Sequence, residues 1–322
     1  MSEKIRILMT LGDTSREGAQ SYSMNILRNI DTSRFQIDFA VNYIHPNGYE
    51  KEMEQYGSGI HVVPKFNVIN YQKYKRSWDA LLEKEKYDIV HGNVSSTAGI
   101  YLKEAKKNGC ATIAHSHSAG YRGNALERIV KRVFTAGAKK YADYWFACAE
   151  SAAIRMFGKN YRQNPNYYDM PNAIDTSRYL FDPVKRDNIR KSLQLEEGVI
   201  LYGHVGSFST PKNHTFLIDV FQQIYKQQGK KAYLVLVGDG ALREQIEQKV
   251  VQCGLQKQVV FTGSVENVHE YLMAMDVLIF PSLFEGFPVA LLEAQATGLY
   301  SVVSDSITEE VNLTQCIVPL SL

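Results

Sequence analysis

Two glutamates near the C-terminal end of the chain have the spacing and surroundings of a site for a negatively charged, hydroxyl-rich ligand. Residues 280–298 read FPSLFEGFPVALLEAQATG, with Glu285 in a Pro/Gly-rich turn and Glu293 in an apolar run. The run predicts a helix that starts near Pro288, because proline suits the first helical position. Backbone N–H groups and the dipole at such a start favour an anion, and a diphosphate is a natural guest.

The two carboxylates themselves suit hydroxyl groups. Glu285 would lie at the rim of the anion site, where a second anion is repelled and a sugar hydroxyl finds a strong acceptor. Burying Glu293 alone among apolar neighbours would cost several kcal/mol, so we expect it to accept hydrogen bonds from another hydroxyl pair, such as that of a ribose. The alternative is a Glu285 that caps the helix and a Glu293 that faces solvent and pairs with a lysine. The spacing alone does not decide between the two.

Three glycine turns at the ends of predicted strands favour the binding interpretation. Gly206 lies in HVGSFSTPKNH, Gly238 in LVGDG and Gly263 in VVFTG. Glycine lets the backbone approach a ligand closely, and Lys212 in the first of these segments can place a point charge on a phosphate. An ordinary strand, turn and helix with a surface lysine is the alternative for that segment. All three turns occur in one half of the chain, and together they predict a nucleotide there.

The elements that must position these residues follow from the alternation of short apolar runs with amphipathic stretches, which is typical of a parallel sheet covered by helices. We predict an α/β protein with two Rossmann-like, doubly wound domains, residues 1–170 and 191–322, that face each other across a cleft. The polar segment at residues 164–193, which contains three prolines, predicts a linker at residues 171–190. The predicted strands are IRILM, FQIDFAV, IHVVP, YDIVHGN, CATIAHSH and YWFACA, then VILYGHVGSF, AYLVLVG, QVVFTG, VLIFPS and LYSVVSD.

Composition excludes several classes of protein. The chain has 322 residues, 45% of them hydrophobic, and a net charge of +2, which argues against nucleic acid as the main partner. The N-terminus lacks the apolar region of a signal peptide, and no run approaches the ~20 apolar residues of a membrane span. The four cysteines form no C-x-x-C pair, so we expect reduced thiols and a cytoplasmic protein.

The order of the motifs resembles glycosyltransferase family 4, whose members are retaining, nucleotide-sugar-dependent enzymes of the GT-B fold. PNAID, VGSF followed by KNH, VGDG, FTG and the 280–298 segment carry the resemblance, which covers essentially the whole chain. EGAQSYSMNILRNID and AHSHSA resemble the branch that builds bacterial capsular and exopolysaccharides. The resemblance implies transfer of a sugar, from UDP-hexose or UDP-N-acetylhexosamine, to a lipid-linked or oligosaccharide acceptor. A non-catalytic, nucleotide-sugar-binding partner of a polysaccharide assembly is the alternative.

The resemblance also implies roles for individual residues. Glu285 would contact hydroxyls of the donor sugar, Glu293 would bind the ribose, and Lys212 would neutralise the leaving diphosphate. The remaining donor-binding positions are Gly18, Gly206, Ser207 and Gly238, together with the backbone amides of Gly286, Phe287 and Val289.

The histidines of the segment AHSHSA form a separate candidate. We expect His115 and His117, at the end of one strand, to point to opposite faces, so that only one faces the cleft. The resemblance places a histidine near the donor sugar at this strand end, and His117 fits better, so we assign it with Glu285 to the catalytic group. A polar core histidine is the alternative. A metal site is disfavoured because no third ligand is evident and D-x-D is absent, and the resemblance implies a mechanism without metal or cofactor.

Three features depart from the family pattern. Ser207 stands where the family usually has an arginine for the diphosphate, and Glu17 stands where many members have a second glycine beside Gly18. The chain also ends at EEVNLTQCIVPLSL, where family members normally continue. The missing arginine would remove a bidentate cation from the leaving-group site.

A basic amphipathic segment at residues 121–144 is the candidate membrane contact. One face would carry the apolar residues and the other the basic ones, so the segment could rest on anionic lipid at the inner face of the plasma membrane. The solvated face of a packed helix is the alternative. The apolar residues are Leu126, Ile129, Val130, Val133 and Phe134, and the basic ones are Arg128, Lys131, Arg132, Lys139 and Lys140.

Overall fold

The computed structural model describes residues 4–118, 120 and 125–321, without the side chains of residues 125–127. The chain divides into two compact units, Met1–Asn172 and Ala173–Leu322. The range predicted as a linker contains a 3-10 turn, Thr176–Tyr179, and most of a helix, and both belong to the second unit.

The described part of the first unit is built on a seven-stranded parallel sheet with the strand order β3-β2-β1-β4-β5-β6-β7. The strands are β1 (Ile5–Thr10), β2 (Phe35–Val41), β3 (Ile60–Val62), β4 (Ile89–Gly92), β5 (Ala111–Ser116), β6 (Tyr144–Ala147) and β7 (Tyr167–Asp169). The helices are α1 (Gly18–Asn29), α2 (Glu50–Gln55), α3 (Tyr71–Glu85), α4 (Ala98–Lys107), α5 (Ala125–Ala136), α6 (Ala138–Tyr141) and α7 (Glu150–Phe157).

The described part of the second unit is built on a six-stranded parallel sheet with the order β10-β9-β8-β11-β12-β13. The strands are β8 (Ile200–Val205), β9 (Ala232–Val237), β10 (Val259–Gly263), β11 (Val277–Phe280), β12 (Ser301–Ser304) and β13 (Ile317–Leu320). The helices are α8 (Pro183–Ser192), α9 (His214–Gln228), α10 (Arg243–Gln252), α11 (Val268–Ala274) and α12 (Val289–Ala296).

Both sheets have the strand order of a doubly wound Rossmann-like fold, so the predicted fold class is confirmed. Every apolar run predicted as a strand forms one. The two strands that the pattern missed, β7 and β13, are the last strands of their sheets. Such edge positions bury less of each side chain, and β13 carries Pro319, so neither strand shows the apolar signal of a central strand.

The cores lie between the sheets and their amphipathic helices. In the first unit Met24 and Leu27 of α1 are buried in one cluster with Phe39 of β2. In the second unit Phe221 of α9 is buried with Leu234 of β9. This packing fixes the strand ends, from which the loops of the candidate site emerge.

An arginine–aspartate cluster holds α8 on the second sheet. Asp276, just before β11, accepts hydrogen bonds from the Leu201 backbone N–H at 2.7 Å, from Arg186 at 2.6 Å and from Arg190 at 3.1 Å. Arg186 also donates to the backbone carbonyls at the end of α11. The aspartate therefore joins α8, β8 and α11 in one charge-assisted network.

Replacing Asp276 with asparagine should destabilise the second unit by about 2 kcal/mol, because two guanidinium groups lose their anionic partner. Urea unfolding followed by circular dichroism measures this change. Tryptophan fluorescence would not serve, because both tryptophans, Trp78 and Trp145, belong to the first unit. The control is Asp187→Asn on the exposed side of α8. Equal unfolding midpoints for the two variants would show that the cluster does not hold α8.

None of the described helices is both long enough and apolar enough to cross a bilayer.

Candidate functional site

Four of the residues predicted in the second unit lie where the strand order of its sheet reverses. Neighbouring strands β8 and β11 flank this point. Gly206 and Ser207 directly follow β8, Lys212 ends a 3-10 turn before α9, and Glu285 lies in the loop between β11 and α12. Open α/β sheets bind ligands at the carboxyl ends of their strands at such a reversal.

The glycine turns of β8, β9 and β10 converge on one another. The Gly206 N–H donates to the Val237 carbonyl at 3.0 Å, and the Gly238 N–H donates to the Gly263 carbonyl at 3.0 Å. A Cβ on Gly238, where φ is +136°, would lie 2.2 Å from the Gly206 carbonyl oxygen. The structure therefore gives Gly238 a packing reason to be glycine, whether or not a nucleotide binds beside it.

Gly206 leaves room for the lysine that was predicted to meet a phosphate. A Cβ at Gly206 would lie 3.0 Å from His204 Nε2 and 3.1 Å from Lys212 Cε. The Lys212 ammonium lies 4.8 Å from the centroid of the Phe280 ring, within the range of a cation–π contact. The glycine and the ring together set the path of the lysine stem.

Lys212 and Glu285 form an ion pair between the loops that follow β8 and β11. Their Nζ and Oε1 atoms are 2.7 Å apart, and the side chains are only 13% and 15% exposed. The structure thus brings together the predicted phosphate cation and the predicted sugar acceptor. A diphosphate that approached Lys212 would share its charge and release Glu285 for hydroxyl groups.

The helix predicted to start near Pro288 is α12, and Pro288 is its N-cap, one residue before the first helical position at Val289. The N-cap residue makes no side-chain hydrogen bond to this end, and the Glu285 carboxylate accepts its hydrogen bond from Lys212 instead. The alternative in which Glu285 caps the helix is therefore wrong. Gly286 and Phe287 lie buried immediately before the cap, so this helix start sits beside the ion pair.

Glu293 lies partly buried on α12 rather than facing solvent. Its Oε1 accepts a hydrogen bond from the Tyr179 hydroxyl at 2.5 Å. Burial raises the pKa of Glu293 to about 7, although the Tyr179 hydrogen bond and the nearby Arg178 act in the opposite direction. The alternative in which Glu293 pairs with a lysine at the surface is therefore also wrong. Sequence reasoning missed Tyr179, because the chain separates it from its partner by 114 positions.

In the first unit His115 and His117 lie on the same side, with ring centroids 3.9 Å apart. The prediction that they point to opposite faces was wrong, because residues two apart along a strand share a face. His115 is fully buried, and its Nδ1 lies 3.1 Å from His91 Nε2. His117 is partly exposed, and its Nε2 lies 2.7 Å from the Asn93 side-chain oxygen.

Burial keeps these histidines neutral. It lowers the pKa of His91 to about 4 and that of His117 to about 3. With the amide oxygen of Asn93 facing His117, the imidazole Nε2 carries the proton, and Nδ1 is left as an acceptor that no described residue satisfies. Sequence reasoning missed His91 and Asn93, although both stand at the end of β4, next to β5.

The other predicted positions have less distinctive surroundings. Helix α1 begins at Gly18, where an added Cβ would meet no atom of the described residues within 4 Å, so their packing gives no reason for glycine there. Ser207 Oγ lies 3.2 Å from Ser209 Oγ. Among the residues that the structure describes, no group of three or more histidine, cysteine or acidic side chains could hold a metal ion.

The predicted membrane segment lies partly outside the described residues, since residues 121–124 and the Leu126 side chain are not described. The remainder includes α5 and α6. On α5, Ile129 is 61% and Val133 63% exposed. An apolar strip of this helix is therefore accessible in the first unit.

Comparison with known proteins identifies the family. The sequence model described as "Glycosyl transferases group 1" matches residues 185–311, which include the ion pair, the glycine turns and α12. A Bacillus subtilis protein that carries a glycosyltransferase name, EpsF, is 32% identical over 315 residues, or 97% of this chain and 82% of that protein.

Two further relatives are more distant. The Escherichia coli UDP-Gal:alpha-D-GlcNAc-diphosphoundecaprenol alpha-1,3-galactosyltransferase is 27% identical over 248 residues, 74% of this chain and 62% of that enzyme. The Staphylococcus aureus capsular polysaccharide biosynthesis glycosyltransferase CapH is 23% identical over 321 residues, 97% of this chain and 84% of that protein.

Solved structures share the fold. The crystal structure of Anabaena HepE in complex with UDP and glucose superimposes with a TM-score of 0.80 at 17% identity, covering 98% of this chain and 86% of that one. The likeness to such structures confirms the predicted GT-B fold. The match to EpsF over nearly the whole length shows that this chain belongs to the group 1 family of glycosyltransferases.

Proposed function

We propose that this protein is a retaining glycosyltransferase of family 4. It would transfer a hexose or N-acetylhexosamine from a UDP-linked donor to a lipid-linked or oligosaccharide acceptor in the synthesis of a capsular or other exopolysaccharide. The observation that carries the proposal is the Lys212–Glu285 pair beside Gly206 and the start of α12. The names of the Escherichia coli and Staphylococcus aureus relatives support the donor, the acceptor and the pathway class.

The second unit supplies the groups that a departing diphosphate requires. Lys212 would place its charge on the leaving group, and the backbone amides of Gly286, Phe287 and Val289 would hold the diphosphate and the sugar. Glu285, released from Lys212, would accept hydrogen bonds from the sugar hydroxyls. Glu293 would do the same for the ribose. Gly206, Ser207 and Gly238 would line the wall on the other side.

In the transfer itself, the bond between the anomeric carbon and the diphosphate oxygen breaks as the acceptor hydroxyl oxygen forms a bond to the same carbon on the same face. The hydroxyl proton of the acceptor passes to the departing diphosphate oxygen. The protein contributes positioning and charge stabilisation and forms no covalent intermediate. The proposed mechanism uses Lys212 and the helix start in place of a metal ion and requires no cofactor. Gly18 and His117 belong to the first unit, and their predicted contacts with the donor stay predictions.

The second candidate function is a non-catalytic partner that binds a nucleotide sugar in a polysaccharide assembly. The observation that favours it is Ser207, which replaces a cation, in a site where a carboxylate already neutralises Lys212. Such a protein would bind the nucleotide but stabilise a leaving diphosphate less well.

Glu285→Gln should lower sugar transfer by about 10²-fold, because the sugar loses a charged acceptor that holds it in the reactive position. UDP affinity should stay the same or rise, because Lys212 loses its internal partner. Transfer and hydrolysis assays with a panel of UDP- and GDP-sugars, together with calorimetry, measure both effects. The exposed Glu197→Gln is the matched control. A wild-type protein that binds a nucleotide but turns over no donor would support the non-catalytic function instead.

Glu293→Gln should make the stability of the second unit less dependent on pH. With its pKa raised to about 7, the native carboxyl keeps a proton that the unfolded chain releases above about pH 4.5, so wild-type stability falls as pH rises to about 7. The variant should therefore be more stable than the wild type by about 3 kcal/mol near pH 8 and equally stable near pH 4.5. Urea unfolding at several pH values measures the difference, and parallel profiles would contradict the assignment.

Reversing the charges of Lys131, Arg132, Lys139 and Lys140 to glutamate should weaken sedimentation with vesicles that contain anionic lipid, because each basic residue near such a surface adds about 1 kcal/mol. We propose on this basis that the protein works at the cytoplasmic face of the membrane. Neutral vesicles and a Lys230→Glu/Lys231→Glu variant of the second unit are the controls. No difference between wild type and the charge-reversed protein would end the membrane hypothesis for this segment.

A further inference from the structure

The hydroxyl that contacts Glu293 comes from a turn that is itself fixed in place. Tyr179 is the last residue of the 3-10 turn Thr176–Tyr179, directly after PNAID. Asp175 caps this turn by accepting hydrogen bonds from the Ser177 N–H at 3.0 Å and the Ser177 hydroxyl at 2.7 Å. The Tyr179 ring also meets the His269 ring of α11 edge-on, with centroids 6.1 Å apart. The tyrosine is therefore held by its own turn and by a neighbouring helix.

The contact with Tyr179 fixes the orientation of the Glu293 side chain and leaves carboxylate acceptor positions available for a ligand. The Tyr179 hydroxyl occupies one position on Oε1, at 2.5 Å. An ionised carboxylate offers about four acceptor positions, so those on Oε2 remain for other donors. A glutamate side chain loses considerable rotational freedom when it is held in one geometry, and here the fold has already imposed that cost before a ligand arrives.

We propose that Tyr179 is a positioning residue that fixes Glu293 for the two hydroxyl groups of the donor's ribose. This inference rests on the proposed function, because it takes a nucleoside diphosphate as the ligand. Its consequence is that recognition of ribose over deoxyribose depends on the turn after PNAID as well as on the glutamate. A merely structural tyrosine would affect stability but would not affect that preference.

The charged and titratable groups around the carboxylate support the same role. Arg178 of the turn and the Tyr179 hydroxyl both favour the ionised form of Glu293, against the effect of burial. His269 of α11, on the other side of Tyr179, has a pKa lowered chiefly by burial and also by Lys185 and Arg178, so it brings little positive charge near neutral pH. Tyr179 thus helps keep an acceptor available where burial works against it.

Calorimetric titration with UDP and with 2′-deoxy-UDP tests the proposal. Wild type should prefer UDP by about tenfold, the worth of one good hydrogen bond to a charged group. Tyr179→Phe should lose most of this preference, and its binding of UDP should require a higher pH, because Glu293 loses a donor that favours ionisation. Tyr300→Phe, at an exposed tyrosine of the same unit, is the matched control. Circular dichroism verifies that each variant is folded.

A double variant distinguishes a Tyr179 that positions Glu293 from a Tyr179 whose loss disturbs the binding site in another way. Adding Tyr179→Phe to Glu293→Gln should cause no further loss of the UDP preference, since the tyrosine would act only through the glutamate. The inference would be overturned if the Tyr179→Phe protein kept the wild-type preference for UDP and the wild-type pH profile. It would also be overturned if the losses of the two single variants added in the double variant. Either result would leave the proposed function standing. A wild-type protein that binds none of UDP, GDP or their sugars would overturn both.

Discussion

The ion pair between Lys212 and Glu285 is the interaction on which the candidate site depends. It joins the loops that follow two neighbouring strands at the reversal of the second sheet. Both side chains are largely shielded from water, so each would be costly to leave alone, and each is satisfied by the other. A ligand that carries a diphosphate and a sugar would offer each of them a new partner at once. In the pair the two charges neutralise each other, and each group can still bind its own part of such a ligand.

Close packing also constrains the backbone around this ion pair. Gly206 and Gly238 approach so closely that a methyl group on the second would overlap the carbonyl of the first. That approach brings the ends of β8 and β9 together and leaves the lysine stem a path beside Phe280. Packing requires glycine at position 238, whereas a Cβ at position 206 would crowd the side chains of His204 and Lys212. A phosphate would also need backbone without side chains in order to approach closely. Glycine at these positions therefore suits both the packing of the strand ends and the binding of a phosphate.

Other groups in the molecule carry a cost that packing alone does not explain. Glu293 is partly buried with a raised pKa, and three neutral histidines meet near the ends of β4 and β5, where two ring nitrogens have no hydrogen-bond partner among the described residues. Each arrangement sacrifices solvation that a surface position would have kept. Polar groups kept in such surroundings are common at functional sites, because ligands restore the hydrogen bonds that water would have made.

The sequence by itself determined the class of each unit and the identity of most candidate residues. Alternating apolar and amphipathic runs are local signals, and burial of central strands forces them to be apolar, so every central strand was predictable. The glycine turns and the two glutamates could also be identified from the sequence, because each motif is a local signal that lies within a few consecutive residues. Of the four edge strands, β3 and β10 were predicted, whereas β7 and β13 escaped, because neither buries a residue and β13 also carries Pro319.

Only the tertiary structure decided which residues meet. The pairing of Lys212 with Glu285, of Tyr179 with Glu293 and of Asn93 with His117 joins positions that the chain separates widely. Their contacts depend on strand order and loop path, which no local pattern records. The structure also decided that Glu293 is shielded and that Gly238 packs against backbone, because burial is a property of the assembled neighbours rather than of the residue type.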